Sequence, residues 1–354
     1  VCVDGISSYP VMKSNHSFDL LSCFPASAEP GKAFTSVTYS NLYFREPESR
    51  ADQTRMMSIV TTGAETGYYV DVFRSRKERG GDKMHDYFYH NLGQTMTLTA
   101  ADGTDLNLQP TEELAFAGAH LYAYSYLYDK KVAATDKDVK VTFTIDMKDK
   151  DGDDISMNLW MKGEPEREVF TALAPMTEGL SRIPGMPYNI KEQPTLTFVA
   201  RQHGEAWNRP FVAVYEPSTR KEPSAIEAVS FFDAEEAGLK DFAGICVESK
   251  NGRTDHIFSL SDSSQTATYR GMKVKADYAV ISNEYAGNRT FFLGNGTQLI
   301  TPDVSIRTSA AANVLLEQKQ GKWYILSSAP CTIMIDGKNV QSGVTSKSTL
   351  LAVQ

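Results

Sequence analysis

The stretch DVKVTFTIDM, residues 138–147, alternates apolar and polar side chains along its length. Val139, Val141, Phe143 and Ile145 fall on one side, with Lys140, Thr142 and Thr144 between them. Successive side chains of a strand point to opposite faces, so this is the pattern of a half-buried strand. ISMNLWMK (155–162) repeats it with Ile155, Met157, Leu159 and Met161. KDKDGDD lies between the two and supplies Asp-Gly turn chemistry, which predicts an antiparallel hairpin. Asp149, Asp151 and Asp153 resemble the opening of a calcium loop. The glycine follows the second acid, however, and no Glu closes the loop, so the turn reading is preferred.

The same texture extends outward. TLTFVARQ (195–202), PFVAVYEP (210–217), IEAVSFF (226–232), AGICVESK (243–250), HIFSLS (256–261), YAVISN (278–283) and RTFFLG (289–294) all read as strands. NVLLEQKQGKWYILSS (313–328) reads as two strands around QKQGK, and CTIMIDGKNV (331–340) as one more. Many short strands separated by turn residues predict an all-β antiparallel sandwich rather than a βαβ fold. Within PTEELAFAGAHLYAYSYLY (110–128), Pro110, Glu112 and Glu113 suit a helix start. The later HLYAYSYLY alternates, which favours strand. The polar, proline-flanked PSTRKEPSA (217–225) is the clearest seam. It predicts a large sandwich over 1–225 and a smaller β-rich region over 226–354, either completing that sandwich or forming a second one.

The chain has 354 residues, 41% hydrophobic and 23% charged, with a net charge of −8. This is the balance of an ordinary globular protein. Nucleic-acid binding calls for a basic footprint, so no such partner is expected. No apolar run reaches about 18 residues, so no membrane-spanning helix is expected. No signal peptide is visible and the first residue is Val, which fits a mature form or a piece of a longer chain. Cys2, Cys23, Cys246 and Cys331 are widely spaced without a CxxC pair, so free thiols are the default expectation.

Two stretches invite a chemical reading. KMHDYFYHN (83–91) holds two of the six histidines, His85 and His90, beside three aromatics. On a strand His85, Tyr87 and Tyr89 share one face, and Asp86, Phe88 and His90 the other. Asp86 and His90 are then about 13 Å apart, whereas a zinc ion needs ligand atoms at about 2 Å. The segment is therefore not a self-contained metal site, though it can lend a residue to a site completed elsewhere. Before it, Arg74, Arg76, Lys77, Arg79 and Lys83 stand against Glu78 and Asp82, a local +3 from five basic and two acidic residues. The plainer reading is a solvated loop. ARQHGEAWNRPF (200–211) carries Arg201, His203 and Trp207 between two predicted strands. Trp offers a flat apolar face and Arg a bidentate fork, a combination suited to carbohydrate or carboxylate. The competing reading is a corner whose tryptophan packs inward. No GxSxG, HExxH, phosphate-loop or dinucleotide motif is present.

VCVDG (1–5), GYYVDVFRS (67–75) with HDYFYHNLG (85–93), QPTLTFVARQHGEAWNRPFVAVYEPS (193–218) and the β-rich tail after about residue 225 occur in an order that resembles the C-terminal β-sandwich of heparinase II/III-like polysaccharide lyases, including the oligoalginate lyases. The resemblance implies a parent enzyme that pairs an N-terminal α/α toroid with this sandwich and cleaves uronate-containing glycans by β-elimination. It places the catalytic tyrosine, the asparagine or histidine, and most or all metal ligands ahead of VCVDG, so no catalytic residue is assigned here. A divalent metal such as zinc would belong to the parent protein. His85, Tyr87, His90, Arg201, His203 and Trp207 are the candidate substrate-contacting residues. The expected partners are an acidic polysaccharide or oligosaccharide and the toroid of the same protein. The expected location is periplasmic or secreted, in a bacterium. This chain alone is expected to be inactive. The rival readings are a non-catalytic carbohydrate-binding or scaffold module, or a self-sufficient enzyme using His85, His90 and tyrosines.

Overall fold

The computed structural model describes the chain apart from residues 7–16, 26–34, 78, 80, 116–121, 148–152, 177–191, 285–286, 346 and 354. His16, His120 and the Asp149–Asp151 part of the calcium-like turn lie outside the described residues.

The 138–162 segment forms the expected hairpin. Val139 to Ile145 pairs antiparallel with Ile155 to Met161, and Val141 lies opposite Leu159. In chain order the strands are β1 (Cys2–Val3), β2 (Asp19–Phe24), β3 (Val37–Arg45), β4 (Ala51–Thr61), β5 (Gly67–Lys77), β6 (Met84–Asn91), β7 (Thr95–Ala100), β8 (Gln109–Pro110), β9 (Tyr128–Ala134), β10 (Val139–Ile145), β11 (Ile155–Met161), β12 (Glu168–Ala174), β13 (Thr195–His203) and β14 (Ala206–Thr219). There follow β15 (Ile226–Phe232), β16 (Phe242–Ser249), β17 (Thr254–Leu260), β18 (Ala267–Tyr269), β19 (Met272–Asn283), β20 (Arg289–Ile300), β21 (Val304–Lys319), β22 (Lys322–Ser327), β23 (Cys331–Ile335), β24 (Lys338–Ser342) and β25 (Thr349–Leu351). A single short helix, α1 (Tyr122–Ser125), is present among the described residues. It departs from the strand expected over HLYAYSYLY. Tyr124 is buried there beside Phe170 and Val199, whereas Tyr126 is exposed.

The first sheet runs β1-β6-β13-β12-β9-β8 and the second β2-β3-β4-β5-β14-β11-β10-β7. The third is eleven-stranded: β15-β16-β17-β19-β20-β21-β22-β25 form its main path, with β18, β23 and β24 attached at its side. The strand pairings among the described residues are all antiparallel, as suits short connections. CTIMIDGKNV is two strands rather than one. Asp336 and Gly337 both take positive φ, 48° and 80°, forming the turn of the β23–β24 hairpin. Tight hairpin turns favour such residues, because this backbone twist matches that of the flanking strands.

The chain divides into two compact units. Unit 1 comprises Val1–Asp19, Leu42–Arg55 and Tyr68–Ser224, and unit 2 comprises Leu20–Asn41, Met56–Gly67 and Ala225–Gln354. The core of unit 1 is a sandwich filling. Tyr87, Phe198 and Ala200 from the first sheet meet Val141, Phe143, Leu159, Phe211 and Tyr215 from the second. Each large side chain removed from water there contributes roughly 1.5–3 kcal/mol. The core of unit 2 gathers Phe258, Ile281, Phe291, Leu316, Trp323 and Ile333. The other face of its sheet carries an aromatic group of Phe24, Tyr39, Tyr278 and Phe292, and Ser58 Oγ lies 2.5 Å from Tyr278 Oη.

Candidate functional site

β6 lies between β1 and β13, and its side chains divide as strand geometry predicts. His85, Tyr87 and Tyr89 point to the sandwich interior, while Asp86, Phe88 and His90 point outward. His85 is fully buried, with Nε2 2.9 Å from Asp82 Oδ1. Burial pushes its pKa below the ordinary histidine value, against the opposing pull of Asp82. Tyr87 donates to Asp71 Oδ2 at 2.6 Å and makes a short hydrogen bond with Tyr215. Arg55 closes this inner group with a bidentate grip on Asp71, its shortest contact 2.7 Å. Burial, with the Asp71 charge, raises the Tyr87 phenol well above its ordinary value, so it stays protonated. Neither His85 nor Tyr87 presents a surface to solvent.

The outward face has a different chemistry. Arg201 on β13 sits opposite Asp86 in register. Its Nε donates to Asp86 Oδ1 at 2.7 Å and its Nη2 to Oδ2 at 2.9 Å. Tyr124 adds a hydrogen bond to Asp86 at 2.7 Å, and Arg201 Nη1 reaches Glu113 at 2.7 Å. The guanidinium lies 5.1 Å from the Phe170 ring centre. Burial works against the Arg201 charge, but the hydrogen bonds and attraction of Asp86 outweigh it and hold its pKa above the ordinary value. Two residues along the strand, His203 is half exposed and pairs with Glu168 at 2.8 Å. His90 stacks beside Phe88, and its Nδ1 lies 2.8 Å from Thr197 Oγ1. Thr197 is four residues from Arg201 on β13, so His90 and Arg201 are separated by about 13 Å along the strand.

Trp207 stands apart from both faces. The Arg76 guanidinium lies 4.1 Å from its ring centre, and Glu205 caps its backbone N–H. Arg74, Arg76 and Lys77 belong to β5 and Arg74 is only 2% exposed, whereas Arg79 and Lys83 are exposed outside the strands, so only the later part of the basic run is the solvated loop expected of it. Lys77 is bound to Asp4 at 2.6 Å. The six candidates thus fall in three places. His90, Arg201 and His203 share the outer face, His85 and Tyr87 the inner one, and Trp207 lies at the β14 start. Asp86, Tyr124 and Glu113 were missed. The signal for Asp86 and Arg201 was available, since each is a lone charge inside an otherwise apolar strand, and such charges are buried only when paired.

Among the described residues no group of three or more His, Cys, Asp or Glu side chains is placed to hold a metal ion. No donor set among these described residues fits a zinc site. None of the four cysteines is joined in a disulfide. In unit 1 a cleft of about 550 Å³ is lined by Gln94, Asp105, Asn107, Asp129 and Lys131 over a floor that includes Leu173. It forms where β9 carries an extra residue against β12, between the pairs Lys131–Thr171 and Tyr128–Leu173. Such bulges re-aim side chains, and here Asp129, with φ 48°, lines the cleft. A second cleft shares Asp129 and includes the half-exposed Tyr128. None of the six candidates lines either cleft.

Residues 229–318 match the family model described as the endo-acting ulvan lyase C-terminal domain. Over 244 residues, 67% of this chain, the sequence is 32% identical to an endo-acting ulvan lyase of Formosa agariphila. The match spans 28% of that relative, so the chain corresponds to little more than a quarter of its length. Neither match carries the heparinase II/III-like name. The chain is similar to the C-terminal part of a polysaccharide lyase.

Proposed function

We propose that this chain is the C-terminal β-sandwich part of a polysaccharide lyase of the heparinase II/III-like kind, which cleaves a uronate-containing glycan by β-elimination. The observation that carries the reading is the 32% identity over 244 residues with an endo-acting ulvan lyase, and it makes ulvan the first substrate to test. In β-elimination a base removes the proton α to the uronate carboxylate, a neutralising group stabilises the enolate, and an acid protonates the leaving oxygen. In this reading an N-terminal α/α toroid supplies those groups and any divalent metal such as zinc. The sandwich supplies a wall of the substrate cleft. The clefts that meet at Asp129 support that role, with polar groups set over an apolar floor and an exposed tyrosine alongside. A polymeric substrate suits a location in the periplasm or outside the cell.

The test is the ultraviolet absorbance of the unsaturated uronate product. The chain is incubated with ulvan, alginate, heparan sulfate and chondroitin, in parallel with the parent protein. The expected result is no turnover by the chain alone and turnover by the parent. Robust turnover by the chain alone would sink this reading in favour of a self-sufficient enzyme. A second reading, a non-catalytic carbohydrate-binding module, is favoured by the match to a C-terminal domain covering only residues 229–318. Removing this part from the parent separates the two. A cleft wall costs turnover on short and long substrates alike, whereas a module costs only attachment to polymer.

A further inference from the structure

Unit 2 holds a cleft of about 270 Å³, sized for a single sugar unit, and all its lining residues fall within 256–303. These lie inside the span that matches the ulvan lyase C-terminal domain. His256, Ile281 and Phe291 are registered neighbours on β17, β19 and β20, so their side chains share one face. The next row brings Arg289 opposite Asn283. Arg270 stands at the rim, in the two-residue turn that joins β18 to β19.

The two arginines differ in what they hold. Arg289 is occupied. It pairs with Asp303 at 2.6 Å, donates to Asn283 at 3.2 Å and lies 4.8 Å from the Phe291 ring centre. Arg270 uses its backbone N–H on Glu235 at 2.7 Å, and its guanidinium lies 5.1 Å from the Tyr269 ring centre. No carboxylate is paired with that guanidinium among the described residues. The turn that carries it is tightly defined, with Arg270 and Gly271 at φ 48° and 78°. A rigid hairpin turn of this kind limits the ordering cost of engaging a ligand. The lining carries two guanidiniums against one carboxylate. His256, which burial and then Arg270 hold below the ordinary histidine pKa, adds a neutral imidazole. Asp255 and Glu248 pull on His256 in the opposite direction.

We propose that this cleft binds one anionic group of a saccharide, a carboxylate or a sulfate ester, in the fork of Arg270 with Arg289 and His256 beside it. A guanidinium presents paired N–H donors that match an oxyanion bidentately. Behind the guanidiniums the buried side chains of Met272, Ile281 and Phe291 give the cleft an apolar floor. The inference rests on the polysaccharide reading for the sugar, while the exposed Arg270 guanidinium, paired with no carboxylate among the described residues, is what points to the oxyanion.

The test is calorimetric titration of the full chain with glucuronate, glucose 6-sulfate, glucose and inorganic sulfate at low ionic strength. Saturable binding is expected for at least one anionic sugar, and not for glucose. Arg270→Ala should weaken it by about 10- to 100-fold, the scale of a hydrogen bond to a charged group. It should leave the thermal transition unmoved, because Arg270 is an exposed turn residue. Arg270→Lys should restore only part of the affinity, since an ammonium lacks the planar fork. The proposal is overturned if no anionic sugar binds, if glucose binds equally, if only inorganic sulfate binds, or if Arg270→Ala binds as well as the parent sequence. The absorbance assay reads elimination separately, so failure of the lyase reading and failure of this site are distinguishable.

Discussion

Arg201 in unit 1 and Arg270 in unit 2 are both arginines beside an aromatic ring, yet they serve opposite ends. Arg201 is consumed by Asp86 and Glu113 and nearly removed from solvent, with Tyr124 closing the far side of the carboxylate. Arg270 stands in an exposed turn with no carboxylate paired to it among the described residues. A paired, buried charge positions strands, whereas an exposed, preorganised one is available to a ligand. Residue type and aromatic neighbourhood do not distinguish these cases. Pairing does.

The largest expected effect breaks the buried side of the comparison. Asp86→Ala leaves the Arg201 charge buried with its main partner gone, and removing one member of a buried pair costs about 3–5 kcal/mol. Urea denaturation should show that loss, set against a change within about 0.5 kcal/mol for Arg270→Ala. Equal effects from the two variants would dissolve the distinction. Tyr87→Phe is next. It removes the hydroxyl that donates to Asp71 and meets Tyr215, at a cost of about 1–3 kcal/mol by the same denaturation measurement. A neutral result would mean that Arg55 alone satisfies Asp71.

The smallest effect is in pH. His85, His90 and His256 all have pKa values lowered by burial. The unfolded chain therefore binds protons more readily than the folded one. The stability these residues contribute is fully present above about pH 6.5, the ordinary histidine value, and is lost as the pH falls below it toward their folded values. The urea midpoint should be lower at pH 5.5 than at pH 7.5. Substituting His85 by Gln should flatten that slope, if the buried rings are responsible.

Much of the fold was legible because its signal is local. The 138–162 hairpin, β15 and the β13 stretch are period-2 patterns bounded by turn residues, and they stand where the pattern put them. The two faces of β6 were legible for the same reason, since pleating alone separates His85 from His90. Misreadings arose where local pattern and tertiary context part. The tyrosines of 122–125 alternate yet form a helical turn, and Asp336-Gly337 sits within an apolar run yet reverses the chain. The candidate site was less legible. Arg201 and Asp86 are 115 residues apart, and nothing in either segment names the other. Arg270 attracted no notice, because a lone arginine before a glycine carries no pattern.

The sequence by itself determined an antiparallel all-β chain and the two faces of strands such as β6 and β10, because hydrophobic alternation and turn chemistry act over a few residues. Only the tertiary structure decided which charges neutralise one another, that residues 20–41 and 56–67 group with the late strands of unit 2, and that Arg270, Arg289 and His256 line one cleft. Those outcomes depend on contacts between segments far apart in the chain. Such contacts are selected by the joint burial and pairing of many side chains and by no single stretch.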